Sequence, residues 1–288
     1  MTIINATDDS EEYNMKTRII SGILIALVII AIITAGFFFS VVFSVAAALL
    51  GAVCVFELLY NTGYCKNDPL IYTAALFAVL SPFINKDLIN IEYTYLVSLF
   101  VVAVITITLI KHKDITPINM FSAIALPIMV AYSFRSIVLL STQSLSGIYN
   151  LALLLCFTVF ADIGAYFVGV FFGKHKMSPN ISPKKTYEGL VGGLVVGTIF
   201  TIIVTLLFRY VFKFVFLKTT LIIIIAPLFI LFGVMGDLIA SYIKRGANIK
   251  DFGDTIPGHG GIMDRFDSML IVGPVLYIFD SLVNISGI

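Results

Sequence analysis

Residues 219–268 read TTLIIIIAPLFILFGVMGDLIASYIKRGANIKDFGDTIPGHGGIMDRFDS. The apolar run from 219 to 243 is long enough to cross a bilayer as a helix, because about 20 residues at 1.5 Å each span a hydrocarbon core of roughly 30 Å. From Gly236 onward polar chemistry takes over: Asp237, Asp251, Asp254, Asp264 and Asp267 alternate with Lys244, Arg245, Lys250 and Arg265 around a glycine-rich turn that carries His259. That mixture suits a phosphate site, in which carboxylates hold divalent cations, basic side chains neutralise phosphate oxygens and glycines let backbone N–H groups approach a polyanion. A solvated loop between two membrane helices is the plainer alternative, but such loops seldom combine an HGG turn with so many alternating charges.

Outward from this stretch the chain is oilier still. Of its 288 residues 59% are hydrophobic and only 12% charged, about half the charge of an average soluble domain, so most of it cannot be solvated by water. A net charge of +1 excludes a nucleic-acid footprint. Cys54, Cys65 and Cys156 show no CxxC spacing and are assigned no chemistry. Residues 1–18 form a polar lead, acidic at Asp8, Asp9, Glu11 and Glu12, with no apolar core to bury, and read as disordered. Apolar windows follow at about 19–38, 40–60, 69–84, 93–110, 118–140, 148–172, 186–208, 219–243 and 267–285. The first is too long for a cleavable signal and reads as a retained helix. The fold expected is therefore all-α: a polytopic integral membrane protein of about nine transmembrane helices, with 19–145 as an N-terminal scaffold on the lipid side and 146–288 as the catalytic region.

Charge placement orients the spans. With the N-terminus inside, thirteen of the eighteen Lys and Arg residues fall on the cytoplasmic side, and Lys86, Arg135, Arg209, Lys213 and Lys218 on the other. The positive-inside rule favours N-in and C-out, which puts both polar loops on the cytoplasmic face of the cell membrane.

A second block, Ala161–Gly193, reads ADIGAYFVGVFFGKHKMSPNISPKKTYEGLVGG. Asp162 lies about 16 Å of helix from Gly173, near the bilayer midplane, where a carboxylate costs about 3 kcal/mol and should find a polar cavity and a partner. It is read as essentially the lone midplane charge, either functional or a packing carboxylate paired to a neighbouring helix. Asp162, Tyr166, Gly169 and Gly173 share one helical face, expected to line a cleft. Ser182, Pro183, Lys184, Lys185 and Thr186 read as a helix start, with Ser182 at the N-cap, Pro183 at N1 and Lys185 at N3; such an end binds anions, whereas headgroup snorkelling would be the bland use of the two lysines. Gly189, Gly193 and Gly197 repeat at intervals of four, a small-residue face for close helix packing. In the first block, Asp237, Ser241 and Lys244 share a face, and Asp264 and Asp267 would point to one side of a helix starting near Ile262.

The string SYIKRGANIKDFGDTIPGHGGIMDRFD from Ser241 resembles the signature of the CDP-diacylglycerol synthases, or phosphatidate cytidylyltransferases, and the 161–193 block resembles that family's ADxGAY, FGKHK and SPKKTxEG run. Ile163 stands where the family usually has Ser or Thr, and Ala240 where it usually has Glu. The resemblance implies that the phosphate of phosphatidic acid attacks the α-phosphorus of CTP, with Mg²⁺, and room for a second cation, neutralising the developing charge. It further implies catalytic roles for Asp237, Lys244, Lys250, Asp251, His259, Asp264 and Arg265. Asp162, Ser182, Lys184, Lys185, Thr186, Glu188, Ser241, Arg245, Gly260 and Gly261 would bind substrate, and Asp237 and Asp264, helped by Asp267, would hold metal. Because a phosphate monoester is largely dianionic at pH 7, His259 reads as a phosphate donor or loop organiser ahead of a general base. The partners implied are CTP, phosphatidic acid and the bilayer, and the small-residue faces allow a homodimer. A CTP-dependent polyprenol kinase shares the setting but not the full motif. A CDP-alcohol phosphatidyltransferase would show DGxxAR, which is absent, and a transporter would be expected to spread ionisable groups over several spans.

Overall fold

The computed structural model describes residues 20–24, 27–36, 38–85, 88–89, 91–141, 144–213 and 219–283. The expectation of a disordered lead at 1–18 lies outside the described residues, as do Lys86 and Lys218 in the orientation argument.

Each apolar window becomes a helix. They are α1 (Ile20–Gly36), α2 (Val41–Phe56), α3 (Asp68–Leu80), α4 (Tyr93–Ile110), α5 (Pro117–Ser141), α6 (Ser144–Leu155), α7 (Ala161–Phe172), α8 (Tyr187–Tyr210), α9 (Thr219–Gly246), the four-residue α10 (Met263–Phe266) and α11 (Met269–Val283). Six stretches are long and apolar enough to cross a membrane: Val41–Asn61, α4, α5, Ser146–Phe172, α8 and α9. Ile20–Gly36, Asp68–Phe83 and Met269–Val283 are shorter apolar helices. The chain is a multi-pass, helical membrane protein. Large apolar side chains such as Leu99, Leu109, Ile110, Phe171 and Phe172 point outward, as a lipid solvent requires.

Two π-helical turns bend this framework. One, Glu57–Asn61, extends α2; the other, Cys156–Phe160, joins α6 to α7 just before Asp162. Each widens the helix locally and resets which face the following residues present.

Side chains gather into two cores. One is built by α2, α3, α4 and α5 and receives Ala240 from α9, Phe252 and Met263 from the loop after it, and Leu270 from α11. The other joins α6, α7, α8, α9 and α11 around Tyr149, Phe157, Phe229 and Ile230. In the second, the glycines of α8 lie against α7: a Cβ at Gly189 would come within 2.8 Å of the Ala165 carbonyl oxygen, and one at Gly193 within 2.9 Å of that of Ala161. The small-residue face is thus used inside the chain and lends no support to a homodimer.

The all-α architecture is as expected, with one small addition: β1 (Lys176–Ser178) and β2 (Ser182–Thr186) pair antiparallel as a hairpin between α7 and α8. One expectation needs correcting. Gly169 and Gly173 do not line a cleft with Asp162. Both press on Thr186, whose Oγ1 would lie 3.2 Å and 2.9 Å from a Cβ at each, and they let α7 meet the start of α8.

Candidate active site

The polar residues fall into two neighbouring groups. In the first, Ser241 Oγ donates to Asp237 Oδ1 at 3.3 Å, one turn away toward the C-terminal end of α9, so the shared face expected for them is real. Asp237 Oδ2 also pairs with Lys185 Nζ at 2.5 Å. Gly236 brings the backbone of α9 against the turn before α11, where a Cβ would sit 2.7 Å from the Asp267 carbonyl oxygen. Asp267 Oδ1 accepts from the Ser268 amide at 2.7 Å, and Ser268 Oγ donates to Asp162 Oδ2 at 3.5 Å. Asp162, Asp237 and Asp267 therefore lie within repulsive reach of one another, and Lys185 offsets part of that repulsion at Asp162. Lys244 does the same at Asp267 but is already paired with Asp264, so the three carboxylates still leave an excess of negative charge at this point.

The second group is the glycine-rich loop after α9. Its pivot is Asp264, which is buried: Oδ1 accepts from Lys244 Nζ at 2.6 Å, and Oδ2 accepts the Phe252 amide at 2.8 Å and the Gly261 amide at 3.0 Å. The Lys244 ammonium also lies 5.1 Å from the Phe252 ring centroid. A bridge in which the Ile256 amide donates to the Gly260 carbonyl at 2.9 Å closes the turn, with Gly258 and Gly260 at φ +76° and +83°, a conformation that side chains resist. Within it the His259 amide donates to Ile256 O at 2.9 Å, and Arg265 donates to His259 O at 2.6 Å. The His259 ring meets Ser21 Oγ of α1 through Nδ1 at 2.8 Å. These contacts fit His259 as a loop organiser. Lys250, Asp251, Asp254, residues 256–260 and Arg265 line an open polar cavity of about 500 Å³, within the usual range of small-molecule sites.

The predicted residues separate accordingly. Asp162, Lys185, Asp237, Ser241 and Asp267 meet in the first group, and Lys244, Lys250, Asp251, His259, Gly260, Gly261, Asp264 and Arg265 in the second. Asp237 and Asp264 share no hydrogen-bond or ion-pair partner, and Asp264 and Asp267 have different hydrogen-bond partners despite their i, i+3 spacing. Ser182 is not an N-cap and Lys185 is not at N3, because Ser182–Thr186 is a strand. The cap is Thr186, whose Oγ1 accepts the Gly189 amide at 3.1 Å, and Lys185 turns inward on β2 while Lys184 is exposed. Glu188 serves the backbone: it accepts the amides of Lys174 and His175 and meets His175 Nδ1 at 2.6 Å. Arg245 donates to the carbonyls of Ile181 and Ile249, tying the hairpin turn to the end of α9.

Asp162 is not the lone charge within the helices. Asp280 of α11 is buried and accepts from Asn150 Nδ2 at 3.0 Å. Glu57, in the π turn after α2, is 1% exposed and has all its partners on the glycine-rich loop: Thr255 Oγ1 donates to Oε1 at 2.6 Å, the Ile262 amide to Oε1 at 3.0 Å and the Met263 amide to Oε2 at 2.8 Å. One turn on, Asn61 Nδ2 donates to Phe252 O at 2.6 Å. The sequence does carry a signal for it, since an ionisable residue inside an apolar run is a functional candidate by default.

Among the described residues no three His, Cys, Asp or Glu side chains converge closely enough to hold a metal ion by themselves. The donor chemistry nonetheless suits Mg²⁺, which prefers oxygen and is commonly held by one or two carboxylates with substrate phosphates and water completing its shell.

The model of the cytidylyltransferase family matches residues 16–283. The chain is 32% identical over 277 residues to the phosphatidate cytidylyltransferase of Bacillus subtilis strain 168, covering 92% of this chain and 97% of that protein. It is also 32% identical over 268 residues to the phosphatidate cytidylyltransferase of Staphylococcus haemolyticus, covering 92% and 98%. With that of Mycobacterium tuberculosis strain H37Rv it shares 41% over 111 residues, 38% of this chain. Every helix described above falls within residues 16–283, together with both polar groups, and the chain belongs to the cytidylyltransferase family.

Proposed function

We propose that the chain transfers the cytidylyl group of CTP to phosphatidic acid. A phosphate oxygen of phosphatidic acid attacks the α-phosphorus, the bond from that phosphorus to the α,β-bridging oxygen breaks, and pyrophosphate leaves as CDP-diacylglycerol forms. The observation that carries this reading is a polar cavity of nucleotide-binding size set beside a carboxylate and lysine cluster at the end of membrane helices. Such transfers depend on positioning and electrostatics more than on covalent catalysis, so fixed cations and amide donors are the right equipment.

In this reading CTP enters the cavity of the glycine-rich loop, with Lys250 and Arg265 at its phosphates and His259 holding the turn. Phosphatidic acid arrives from the lipid side with its headgroup toward Lys185. Asp237 and Asp267 would hold Mg²⁺, which supplies charge neutralisation at the phosphates. Asp264 is already committed to Lys244 and two amides and reaches a cation only by giving up Lys244. We place nine spans with the N-terminus inside and both polar loops on the cytoplasmic face, in line with the charge bias and with a water-soluble nucleotide substrate.

Labelled CTP in mixed micelles tests the reaction. Label should enter lipid only when phosphatidic acid and Mg²⁺ are both present, with one pyrophosphate released per product; phosphorylation of a polyprenol instead would select the kinase reading. Single cysteines at 173–185 and 247–262 should both react from the inner face of oriented vesicles. Reaction from opposite faces would rule out one shared site.

A further inference from the structure

We infer that Glu57, assisted by Asn61, is the positioning residue for the nucleotide-binding loop: a clamp from the N-terminal half that sets the geometry of a site otherwise built by the C-terminal half. The inference rests on the reading of that loop as the CTP site.

Three features of the clamp point beyond ordinary packing. A fully buried carboxylate is costly unless its oxygens are satisfied, and here the hydroxyl of Thr255 and the amides of Ile262 and Met263 satisfy them. All three donors belong to the loop, so Glu57 is paired only once the loop is in place. The loop is also shaped to receive it: a Cβ at Gly261 would lie 2.6 Å from Glu57 Oε2, and one at Gly253 2.9 Å from Oε1. Finally, the π turn Glu57–Asn61 presents Glu57 and Asn61 to the same loop, the carboxylate reaching its C-terminal arm and the amide reaching Phe252 O on its N-terminal arm.

What the clamp holds is the frame of the cavity. Ile262 and Met263 lead through the buried Asp264 into Arg265, and Phe252 follows Lys250 and Asp251, so the two clamped arms carry Lys250, Asp251 and Arg265 of the cavity's charged wall. Glu57 itself does not line that cavity. It acts through the loop, and its loss should be read in nucleotide use.

Glu57→Gln keeps the shape but sets an amide N–H against a backbone N–H. We expect the variant, purified in detergent and assayed in mixed micelles, to raise the KM for CTP about tenfold, with the KM for phosphatidic acid unchanged. Thr255→Val, at an exposed position, removes one of the three donors to Glu57 while keeping the carboxylate and its two amide bonds, and should raise the CTP KM about threefold. If Glu57→Gln does not yield monodisperse protein, Thr255→Val decides by itself. A wild-type CTP KM in the folded variants would overturn the inference. So would a parallel rise in both KM values with a lower melting temperature, which is the signature of a role confined to holding the fold. Failure of the wild-type protein to use CTP would instead remove the proposed function, so the two failures are distinguishable.

Discussion

The Asp237 cluster and the Asp264 loop are both acidic, both lysine-bridged and both part of one continuous motif, yet they are built in opposite ways. Asp237 shares its space with Asp162 and Asp267, three carboxylates with only Lys185 paired directly, at 2.5 Å, and Lys244 in reach but already paired with Asp264, so the group is under-neutralised. Asp264 is the reverse: both oxygens are satisfied by Lys244 and two amides, and the side chain is buried. The first group is carried by α7, β2, α9 and the turn before α11, all C-terminal. The second is plugged into the N-terminal core through Phe252 and Met263 and clamped by Glu57. An unsatisfied cluster is suited to recruiting a cation, whereas a satisfied one is suited to holding a shape.

Substitutions should separate the two. Asp237→Asn is expected to have the largest effect, lowering kcat about a hundredfold or more, with a raised Mg²⁺ requirement in whatever activity remains. Removing the charge of Asp264 leaves Lys244 buried without its counter-ion, a change that costs about 3–5 kcal/mol when a buried pair is broken. Asp264→Asn should accordingly lower the melting temperature and raise the CTP KM; unchanged thermal stability would show that Asp264 is not a structural pivot. Lys185→Ala should lower kcat/KM about thirtyfold and Lys184→Ala less than about threefold, because only Lys185 turns inward from β2. Comparable losses at the two lysines would break that assignment. Arg245→Ala should be as mild as Lys184→Ala, within about threefold, because its bonds go to two carbonyls of its own chain and it is exposed.

Much of this was legible in the sequence, and the rest was hidden for identifiable reasons. Long apolar windows located every helix but the four-residue α10, because bilayer thickness imposes a length that composition alone reveals. The four-residue spacing of Asp237 and Ser241 placed them together because it lies within one regular helix. The Ser182 start failed because Ser182 and Thr186 are both good caps four residues apart. The chain pairs Ser182 with Ser178 in a hairpin and caps with Thr186 instead. Pro183 is acceptable in such an edge strand and so gave no warning. Asp264 and Asp267 parted although the backbone stays helical through Asp267: the Asp264 carboxylate turns to Lys244 and two loop amides, whereas Asp267 turns to the Ser268 amide, and partners that come from distant segments are not encoded in an i, i+3 spacing. Glu57 was overlooked because its partners lie about 200 residues away and its turn is π-helical, a geometry for which the 3.6-residue period is no guide.

The central claim, that cation recruitment belongs to the Asp237 cluster and loop geometry to Asp264, is tested most directly by titrating Mg²⁺ against Asp237→Asn and Asp264→Asn side by side at saturating CTP. The account predicts a higher Mg²⁺ midpoint for Asp237→Asn and a wild-type midpoint for Asp264→Asn. Equal upward shifts in the two variants would contradict it and make Asp264 a direct metal ligand.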